Sequence, residues 1–526
     1  MTALTNGVEY GMITEERIQY YITEDDMKLR SILSLLLAAG MLVSCSTAGP
    51  NTPEETAQTG PASVTPEAEA AGEDAETTDG REAYAPQLPE RNYDGYTFRI
   101  MSRDDSMHTY PVHTRDLIAE EQTGEALHDA VFARNAKIED QLGIKITIFT
   151  ENETVSETTP NNLVEASVMA DSDEYDMLAT HMIYGANSAV KHVFLNFRDL
   201  EYTDYSKPYW NPAAQAAFSV GDNTFLALSD FCFSSNDNTH CMVFNKKLAE
   251  DFGVGDLYSM IHEGTWTNDA FSTIAESVAI DANGDGKMTE DDVFGYFIGG
   301  TSGLINYLFA ADLHVTAKDE ENVPYLDLMS ERTVSVFEWA YRLAHADCSY
   351  TVSSWVSPDV PRIFGADHAL FMTTQVGVIE DLREMEADFG VLPYPKWDEQ
   401  QQNYGHYVDG HATLMAIPKT CRDLEREGIF LEAISYESYL SCLPVYYDVL
   451  MTKKNVRDEQ SGEMLELVYN SRVFDFAYVY DNFGMSFCFS NLITGNNEDI
   501  ASYYKKNEKV ANKMIEKNIK AYQENG

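Results

Sequence analysis

The sequence predicts an α/β fold built on a mostly parallel sheet. Three stretches rich in β-branched and aromatic residues, Tyr96–Met101, Ile144–Phe149 and Tyr175–Ala179, have the pattern of short strands. The stretches between them, Glu125–Gly143 and Leu163–Ala170, place apolar residues at helical spacing. Strands that alternate with helices are typical of parallel sheets, because each helix carries the chain back to the edge where the next strand starts.

Length and charge narrow the possible classes of protein. The chain has 526 residues, of which 44% are hydrophobic, so it can bury a large core and is long enough for more than one lobe. Its formal net charge is -50. A surface this acidic repels the phosphates of nucleic acids and of anionic lipids, so we expect no nucleic-acid partner. Any membrane attachment is then expected to be covalent.

The N-terminal region has the layout of a bacterial lipoprotein signal. Met27–Arg30 is basic, a short apolar run follows, and Leu42–Cys45 resembles the lipobox, whose cysteine receives a lipid and becomes the new N-terminus. The run is too short for a membrane-spanning helix, and no second apolar stretch of membrane length follows. Residues 27–44 are therefore predicted to be a lipoprotein signal peptide. The alternative is an ordinary secretory signal with a chance cysteine.

The flanks of this signal are interpreted separately. Residues 1–26 are polar, and we expect translation to start at Met27, with the preceding stretch an artefact of the assigned start. Residues 45–91 are rich in Thr, Pro, Glu, Ala and Gly and have few large apolar side chains, so they predict a disordered, acidic tether. We therefore expect a lipid-anchored protein on the extracellular face of the cell membrane.

The remaining cysteines are scattered and contain no CxxC pair, which favours buried free thiols over disulfides or a thiolate metal site. They are Cys232, Cys241, Cys348, Cys421, Cys442 and Cys488. Short strands and helices continue to alternate as far as Leu450 without an internal repeat, and Asp499–Gln523 predicts a lysine-bearing amphipathic helix.

Several short stretches in a shared order resemble the family 1 extracellular solute-binding proteins of ABC transporters, especially lipoproteins of Gram-positive bacteria. The matching stretches span about Asn92 to the C-terminus and are Asn92–Tyr96, Gly124–Ala130 with Arg134 and Asn135, Phe244–Leu248, Gly264–Thr267 through Phe271, Asp281–Tyr296, Gly390–Pro395 and Ser502–Asn507. The resemblance implies a type II periplasmic-binding-protein-like fold of two discontinuous α/β lobes with a hinge and a ligand cleft. It also implies a monomer that delivers a sugar or oligosaccharide to ABC permease subunits.

We expect the chain to cross between the lobes near Asp230–Asn238, near Asp409 and near Cys442–Tyr446. These crossings divide the chain into lobe 1, 92–236 and 411–441, and lobe 2, 237–410 and 442–526. Ligands of open α/β sheets lie beyond the carboxyl ends of the strands. Sugar rings stack on aromatic faces, and polar side chains bind their hydroxyls. The candidate ligand-binding residues near strand ends and crossings are Arg103, His181, Asp230, Tyr307, Trp355, Tyr394, Trp397, Asp409 and His411. For each residue, core packing or plain exposure is the alternative, and Trp266 is assigned to the core.

The sharpest local motif is a complete calcium-loop pattern over Asp281–Asp292. Alternate oxygen-bearing residues supply ligands and Gly286 permits the sharp turn. The predicted Ca²⁺ ligands are Asp281, Asn283, Asp285, Lys287 through its backbone carbonyl, Thr289 and Asp292. Position 12 is Asp where an EF-hand has Glu, so affinity is expected to be modest and the role structural. The alternative is an acidic Asp/Gly turn without metal.

Motifs of common enzymes are absent from the sequence. There is no GxSxG elbow, no Walker A loop and no HExxH, and His262–Glu263 lacks the second histidine. With 86 acidic residues, chance carboxylate pairs are inevitable, so a secreted glycoside hydrolase stays open as the main alternative. A dockerin-like adhesion module, suggested only by the single calcium loop, is the third.

Overall fold

The computed structural model describes residues 80–104, 114–151, 158–352, 359–452, 458–480 and 484–525. All of them belong to one compact unit, Thr77–Gly526. The predicted signal, Cys45, most of the predicted tether and Trp355 lie outside the described residues. Within the described residues, no helix is long and apolar enough to span a membrane.

The described strands are β1 (Tyr96–Arg103), β2 (Ile144–Glu151), β3 (Met177–His181), β4 (His240–Asn245), β5 (Phe294–Ile298), β6 (Thr316–Lys318), β7 (Pro324–Leu326), β8 (Ser349–Thr351), β9 (Ala369–Gln375), β10 (Phe389–Leu392), β11 (His406–Tyr407), β12 (Thr413–Ala416) and β13 (Arg472–Val473). The described α-helices are α1 (Ala126–Leu142), α2 (Thr159–Met169), α3 (Met182–Ala189), α4 (Pro212–Phe218), α5 (Lys246–Asp251), α6 (Leu257–His262), α7 (Asn268–Val278), α8 (Asn306–Ala310), α9 (Glu331–Ala344), α10 (Asp359–Ile363), α11 (Leu424–Glu437), α12 (Leu443–Thr452), α13 (Glu459–Asn470), α14 (Phe476–Tyr480), α15 (Cys488–Thr494) and α16 (Ile500–Asn525). Short 3-10 helices span Arg81–Tyr84, Phe197–Asp199, Asp230–Asn238, Thr301–Leu304 and Val376–Glu384, and Ser438–Cys442 is a π-helical turn.

The first lobe is built on a four-stranded sheet in the order β12-β3-β1-β2. β1 runs parallel to β2, from the pair Tyr96–Ile144 onward, and parallel to β3, whereas β12 runs antiparallel to β3. α1 buries Leu127, Val131 and Ile138, its apolar face, and ends at Gly143, whose φ of 63° supplies the left-handed C-cap. The predicted strand, helix and strand from Tyr96 to Phe149 are confirmed.

The second lobe is built on a five-stranded sheet in the order β10-β4-β9-β5-β8. β5 runs parallel to β8 and β9, and β4 runs antiparallel to both of its neighbours. Helix α7 lies directly on β5: a Cβ added at Gly295 would stand 1.8 Å from the carbonyl oxygen of Ala275. Glycine is therefore required for this close approach of helix to strand. Four of the five strands run in the same direction and β4 alone is reversed, which confirms a mostly parallel sheet.

Two described segments carry the chain between the lobes: Asp230–Asn238 leads from the first lobe into β4, and Val408–His411 leads from β11 into β12. At the predicted crossing near Cys442–Tyr446 the chain is still in the first lobe, because α11 and α12, joined by Ser438–Cys442, both contact α1. The C-terminal helix α16 contacts elements that follow β5, and near its end Tyr522 packs against Phe225 of the first-lobe segment, with ring centroids 4.8 Å apart.

Residues 80–91 differ from the prediction of an extended tether. Arg81 donates a hydrogen bond to the carbonyl oxygen of Tyr439 over 3.1 Å, and Arg91 forms an ion pair of 2.7 Å with Glu425. This part of the predicted tether lies along the first lobe. The sequence argument missed it because the anchoring contacts come from Glu425 of helix α11 and from Tyr439 just after that helix, more than three hundred residues later in the chain.

All six described cysteines are buried and unbridged, as predicted. Trp266 is fully buried and its indole N–H donates to the carbonyl oxygen of Pro393 over 3.0 Å, which confirms its assignment to the core.

Candidate functional site

The carboxyl ends of parallel strands from both sheets meet the crossing segment Val408–His411. In the first lobe β1 ends at Arg103 and β3 at His181, and in the second lobe β9 ends at Gln375. Loops after such strand ends are where open α/β sheets bind ligands. The side chains gathered here define the crossing cluster: Arg103, His181, His240, Tyr407, Asp409 and His411.

Asp409 is the centre of the crossing cluster. One carboxylate oxygen accepts hydrogen bonds from the ring Nδ1 of His411 over 2.6 Å and from its backbone N–H over 3.0 Å. The other oxygen lies 3.5 Å from the hydroxyl of Tyr407 and 3.9 Å from Nε2 of His240. Burial alone would raise the pKa of Asp409, but the contact with His411 and the nearby His240 outweigh it and hold the pKa well below its usual range. Asp409 is therefore a buried anion.

The first-lobe side of the cluster is fixed by helix α3. His181 caps this helix: its Nδ1 accepts the N–H of Ile183 over 3.1 Å, so the ring proton resides on Nε2. The His181 ring stacks on Tyr184, with centroids 4.2 Å apart, and meets His411 edge to face at 4.9 Å. Arg103 donates to the carbonyl oxygen of His411 over 2.8 Å. These contacts place polar ring edges and a guanidinium beside one another.

The second-lobe side of the cluster is aromatic. Tyr407 stacks on His240 with ring centroids 4.3 Å apart, and its hydroxyl donates to the carbonyl oxygen of Ser302 over 3.1 Å. The hydroxyl of Tyr478 accepts the N–H of Gly410 over 2.9 Å. Aromatic faces lie here beside hydroxyls, imidazoles and a carboxylate. All six side chains of the crossing cluster are buried except His411, which is about one-third exposed.

The first crossing, Asp230–Asn238, is held by charged groups from both lobes. Asp237 accepts hydrogen bonds from Arg115 and, over 2.8 Å, from the hydroxyl of Tyr446. Arg115 also lies 3.7 Å from Glu380, which follows β9. A guanidinium from the first lobe is thus shared by a hinge carboxylate and a second-lobe carboxylate, so this contact depends on how the lobes are arranged.

A second hinge carboxylate, Asp116, gives a pH prediction. One of its oxygens accepts the N–H and the hydroxyl of Ser234, and the other is buried without a hydrogen-bond partner. Burial raises the pKa of Asp116 to about 6, despite the bonds from Ser234. A raised folded-state pKa contributes stability that is fully present below the unfolded pKa of about 4 and is lost as the pH rises through the folded pKa.

We therefore expect Asp116→Asn to flatten the pH dependence of stability. The free energy of unfolding of the wild type, measured relative to the variant by urea denaturation, should fall by about 2–3 kcal/mol between pH 4 and pH 7. Glu320→Ala, which removes an exposed carboxylate, should retain the wild-type pH dependence. A wild type and an Asp116→Asn variant with parallel pH profiles would contradict the assignment.

Four of the nine predicted ligand-binding residues come together in the crossing cluster: Arg103, His181, Asp409 and His411. Asp230 lies elsewhere, with Arg472 and Arg81 as its charged neighbours, and burial raises its pKa to about 7. Trp397 is half-buried and packs against the second-lobe core, where its backbone N–H donates to the side-chain oxygen of Gln401. Trp355 lies outside the described residues.

Tyr307 and Tyr394 require a correction. Both are buried in the second-lobe core, 5.4 Å apart; the Tyr307 hydroxyl donates to that of Tyr296 over 2.6 Å, and Tyr394 donates to the carbonyl oxygen of Gly303. Packing accounts for them. The sequence argument missed His240, Tyr407 and Tyr478. His240 and Tyr407 adjoin the predicted crossings, and that position in the chain could have identified them. Nothing in the sequence marks Tyr478.

The predicted calcium loop is wound around its first residue. The carboxylate of Asp281 accepts the N–H groups of Gly284, Asp285 and Gly286 over 2.7–3.2 Å. Asp292 accepts the N–H groups of Ala282 and Thr289 over 2.9 Å and 2.7 Å. The positive φ of Gly286, 79°, permits the turn.

The ends of the loop are tied together by the antiparallel bridge between Ile280 and Val293. Its donor set of carboxylate, amide, hydroxyl and carbonyl oxygens fits Ca²⁺, which prefers oxygen ligands. Another group of potential ligands, Asp173, Asp176 and Cys421, is better explained by its ion pairs, because Arg99 contacts both carboxylates over 2.8–3.0 Å.

Solved structures of several substrate-binding and sugar-binding proteins have a fold similar to that of this chain. The sequence matches no protein-family model and no curated protein sequence. The ABC substrate-binding protein Lmo0181 from Listeria monocytogenes, solved in complex with cycloalternan, is similar with a TM-score of 0.50 and 12% identity, over 80% of this chain and 99% of that one. UspC of M. tuberculosis gives a TM-score of 0.51 at 13% identity, over 80% and 100% of the two chains. A cyclo/maltodextrin-binding protein complexed with maltotetraose gives a TM-score of 0.50 at 12% sequence identity, over 81% of this chain and 96% of that one. The likeness confirms the predicted two-lobed fold.

Proposed function

We propose, from the fold shared with these substrate-binding proteins, that this chain is an extracellular solute-binding protein that captures a sugar or oligosaccharide for import by an ABC transporter. The observation that carries the proposal is the crossing cluster, which joins aromatic and polar side chains of both lobes at the strand ends. Two of the similar proteins were solved with oligosaccharides, cycloalternan and maltotetraose. Its partners are then the solute and the permease subunits, and the chain acts as a monomer.

The chemistry of the cluster favours binding over hydrolysis. Most glycosidases use two carboxyl groups that flank the scissile bond, one of them protonated to act as the acid. Among the described residues the crossing cluster contributes one carboxylate, Asp409, and its lowered pKa keeps it ionised. An ionised carboxylate held by His411 accepts hydrogen bonds from sugar hydroxyls and cannot protonate a leaving group.

Titration with maltotetraose and a panel of other oligosaccharides tests this function. We expect binding by calorimetry, a smaller radius of gyration by small-angle scattering as the lobes close, and recovery of the intact sugar by mass spectrometry. His411→Ala should weaken binding by about 1–3 kcal/mol, because the imidazole sits in the cluster. The exposed His262→Ala is the matched control and should bind normally.

The outcomes separate the alternatives. Conversion of the sugar during incubation would favour a carbohydrate-active enzyme. A response to peptides and to no sugar would retain the transport role but change the class of solute. Equal binding by the wild type and the His411→Ala variant would remove the crossing cluster from the site.

We further propose that the chain is a lipoprotein, acylated on Cys45 and held on the outer face of the cell membrane. The support is the sequence layout around Cys45. Two acyl chains are sufficient for stable anchoring. Cys45→Ser should abolish incorporation of labelled palmitate and shift the protein from the membrane fraction to the medium. The buried Cys421→Ser should retain the label. Labelling of the Cys45→Ser variant would sink the assignment.

We also propose that the loop Asp281–Asp292 binds a structural Ca²⁺. Its support is the complete ligand pattern, together with the inward turn of the carboxylates of Asp281 and Asp292 toward the loop backbone. The metal would connect α7 to β5, since the loop lies between these two elements.

A further inference from the structure

The C-terminal helix α16 carries a concentration of positive charge in a chain whose net charge is -50. The side chains concerned are all exposed and are Lys505, Lys506, Lys509, Lys513, Lys517 and Lys520. Together they are called the lysine face. The capture of a solute does not involve this helix, so its charge has no role in the function proposed above.

The lysine face points directly away from the protein. At 3.6 residues per turn, its six residues fall within an arc of roughly 120° around the helix axis. The buried side of the helix lies diametrically opposite and consists of Ile500, Ala511, Ile515, Asn518 and Tyr522. Packing therefore fixes the orientation of the helix, which is about 39 Å long, and presents the ammonium groups outward over roughly 22 Å of it, from Lys505 to Lys520.

Most lysines of the lysine face have no carboxylate partner. Lys520 forms an ion pair of 3.4 Å with Glu524, and the other five make no ion pair with the described residues. Glu516 and Glu524 share the arc, which leaves an excess of positive charge. Several exposed lysines elsewhere are paired, as Lys137 is with Glu437. Unpaired cations on one outward face are available to an external anion.

We propose that the lysine face docks on a membrane surface of anionic phospholipid headgroups. A straight row of flexible ammonium groups fits a flat anionic plane. The net charge of the chain does not prevent this contact, because at physiological salt charges more than about 8 Å from the plane are screened. A second copy of this chain is disfavoured as the occupant, since two acidic molecules repel each other.

An exposed apolar side chain supports the same orientation. Val510 is 58% exposed and adjoins the edge of the lysine face. Beside headgroups it can bury apolar surface while the neighbouring lysines remain in contact with phosphate. The proposed contact is independent of acylation at Cys45 and of solute binding.

Co-sedimentation with vesicles tests the proposal. The full chain carrying Cys45→Ser should bind vesicles of equimolar phosphatidylglycerol and phosphatidylcholine, and not vesicles of phosphatidylcholine alone. Adding K505Q, K509Q, K513Q and K517Q should lower the partition coefficient by more than about tenfold, since each lysine near an anionic surface contributes substantially. High salt should do the same.

The matched control neutralises lysines elsewhere that are each more than half exposed. K137Q, K145Q, K191Q and K247Q change the net charge equally and should leave vesicle binding intact. Both variants should bind sugar like the parent, so failure of the docking proposal is distinct from failure of the transport proposal. The proposal is overturned by equal binding to both kinds of vesicle, by no binding, by equal loss in both variants, or by self-association that depends on the lysine face.

Discussion

Asp409→Ala is expected to lower the free energy of unfolding by about 3–5 kcal/mol, because breaking one side of a buried charged contact leaves its partners without compensation. The carboxylate is buried and holds both the ring and the backbone N–H of His411. The backbone N–H of Asp409 donates to the carbonyl oxygen of Asn238 over 2.8 Å and so joins two crossing segments; Asp409→Ala retains this bond, so the expected loss comes from the side chain. Urea denaturation at pH 7 measures the change.

The pH dependence and two companion variants sharpen this test. The pKa of Asp409 lies below its unfolded value, so its contribution is fully present above about pH 4 and is lost as the pH falls toward the folded pKa. Asp409→Asn retains an acceptor for His411, so its free energy of unfolding should fall less than that of Asp409→Ala. Glu320→Ala, at an exposed position, should have a free energy of unfolding within about 0.5 kcal/mol of the wild-type value. An Asp409→Ala variant as stable as the wild type would show that the crossing cluster holds no buried anion.

Calcium is expected to stabilise the wild type by about 2.7 kcal/mol when its free concentration is a hundred times its dissociation constant, because only the folded loop presents the full ligand set. Thermal unfolding in excess calcium and in EDTA measures the difference. Asp281→Ala should abolish the gain, because it removes a proposed carboxylate ligand. It should also lower the stability without metal, because its carboxylate holds three backbone N–H groups of the loop.

Two neighbouring acids separate metal binding from a general loss of negative charge. Asp285→Ala removes a proposed ligand and should abolish the calcium response. Asp291→Ala removes an exposed carboxylate from the same loop but not from the ligand set, so its response should match the wild type. A wild-type melting temperature that is the same in EDTA and in calcium would leave the acidic turn without a metal.

Periodic segments of this fold could be predicted from the sequence because local pattern and burial agree there. β1, α1 and β2 follow their apolar spacing. The third strand shifts from Tyr175–Ala179 to Met177–His181. The reason is Asp176, whose carboxylate is drawn into ion pairs with Arg99 on the neighbouring strand. Such a contact between strands is invisible in a local pattern.

The candidate site was predictable only where position in the chain carries information. Asp409 and His411 interrupt a buried stretch at a crossing, so their polarity marks them. Tyr307 and Tyr394 adjoin strand ends in the same manner but face the core, and nothing in a single sequence distinguishes the two orientations. The lysine face could not be predicted from the average charge of the chain, which indicates repulsion from anionic lipids. Its lysines lie together because the opposite side of α16 is buried against the protein.

The interleaving of the two sheets sets the order in which the chain can fold. β12 pairs with β3, and the two strands are separated in the chain by all five strands of the second sheet. The second sheet, by contrast, is complete within the continuous segment from His240 to Leu392. During synthesis its strands can therefore pair while the fourth strand of the first sheet has not yet emerged. Closing this long loop costs more chain entropy than the local pairings of the second sheet, so we expect the first sheet to be completed last. Until residue 416 has emerged, the edge of β3 that pairs with β12 has no partner strand.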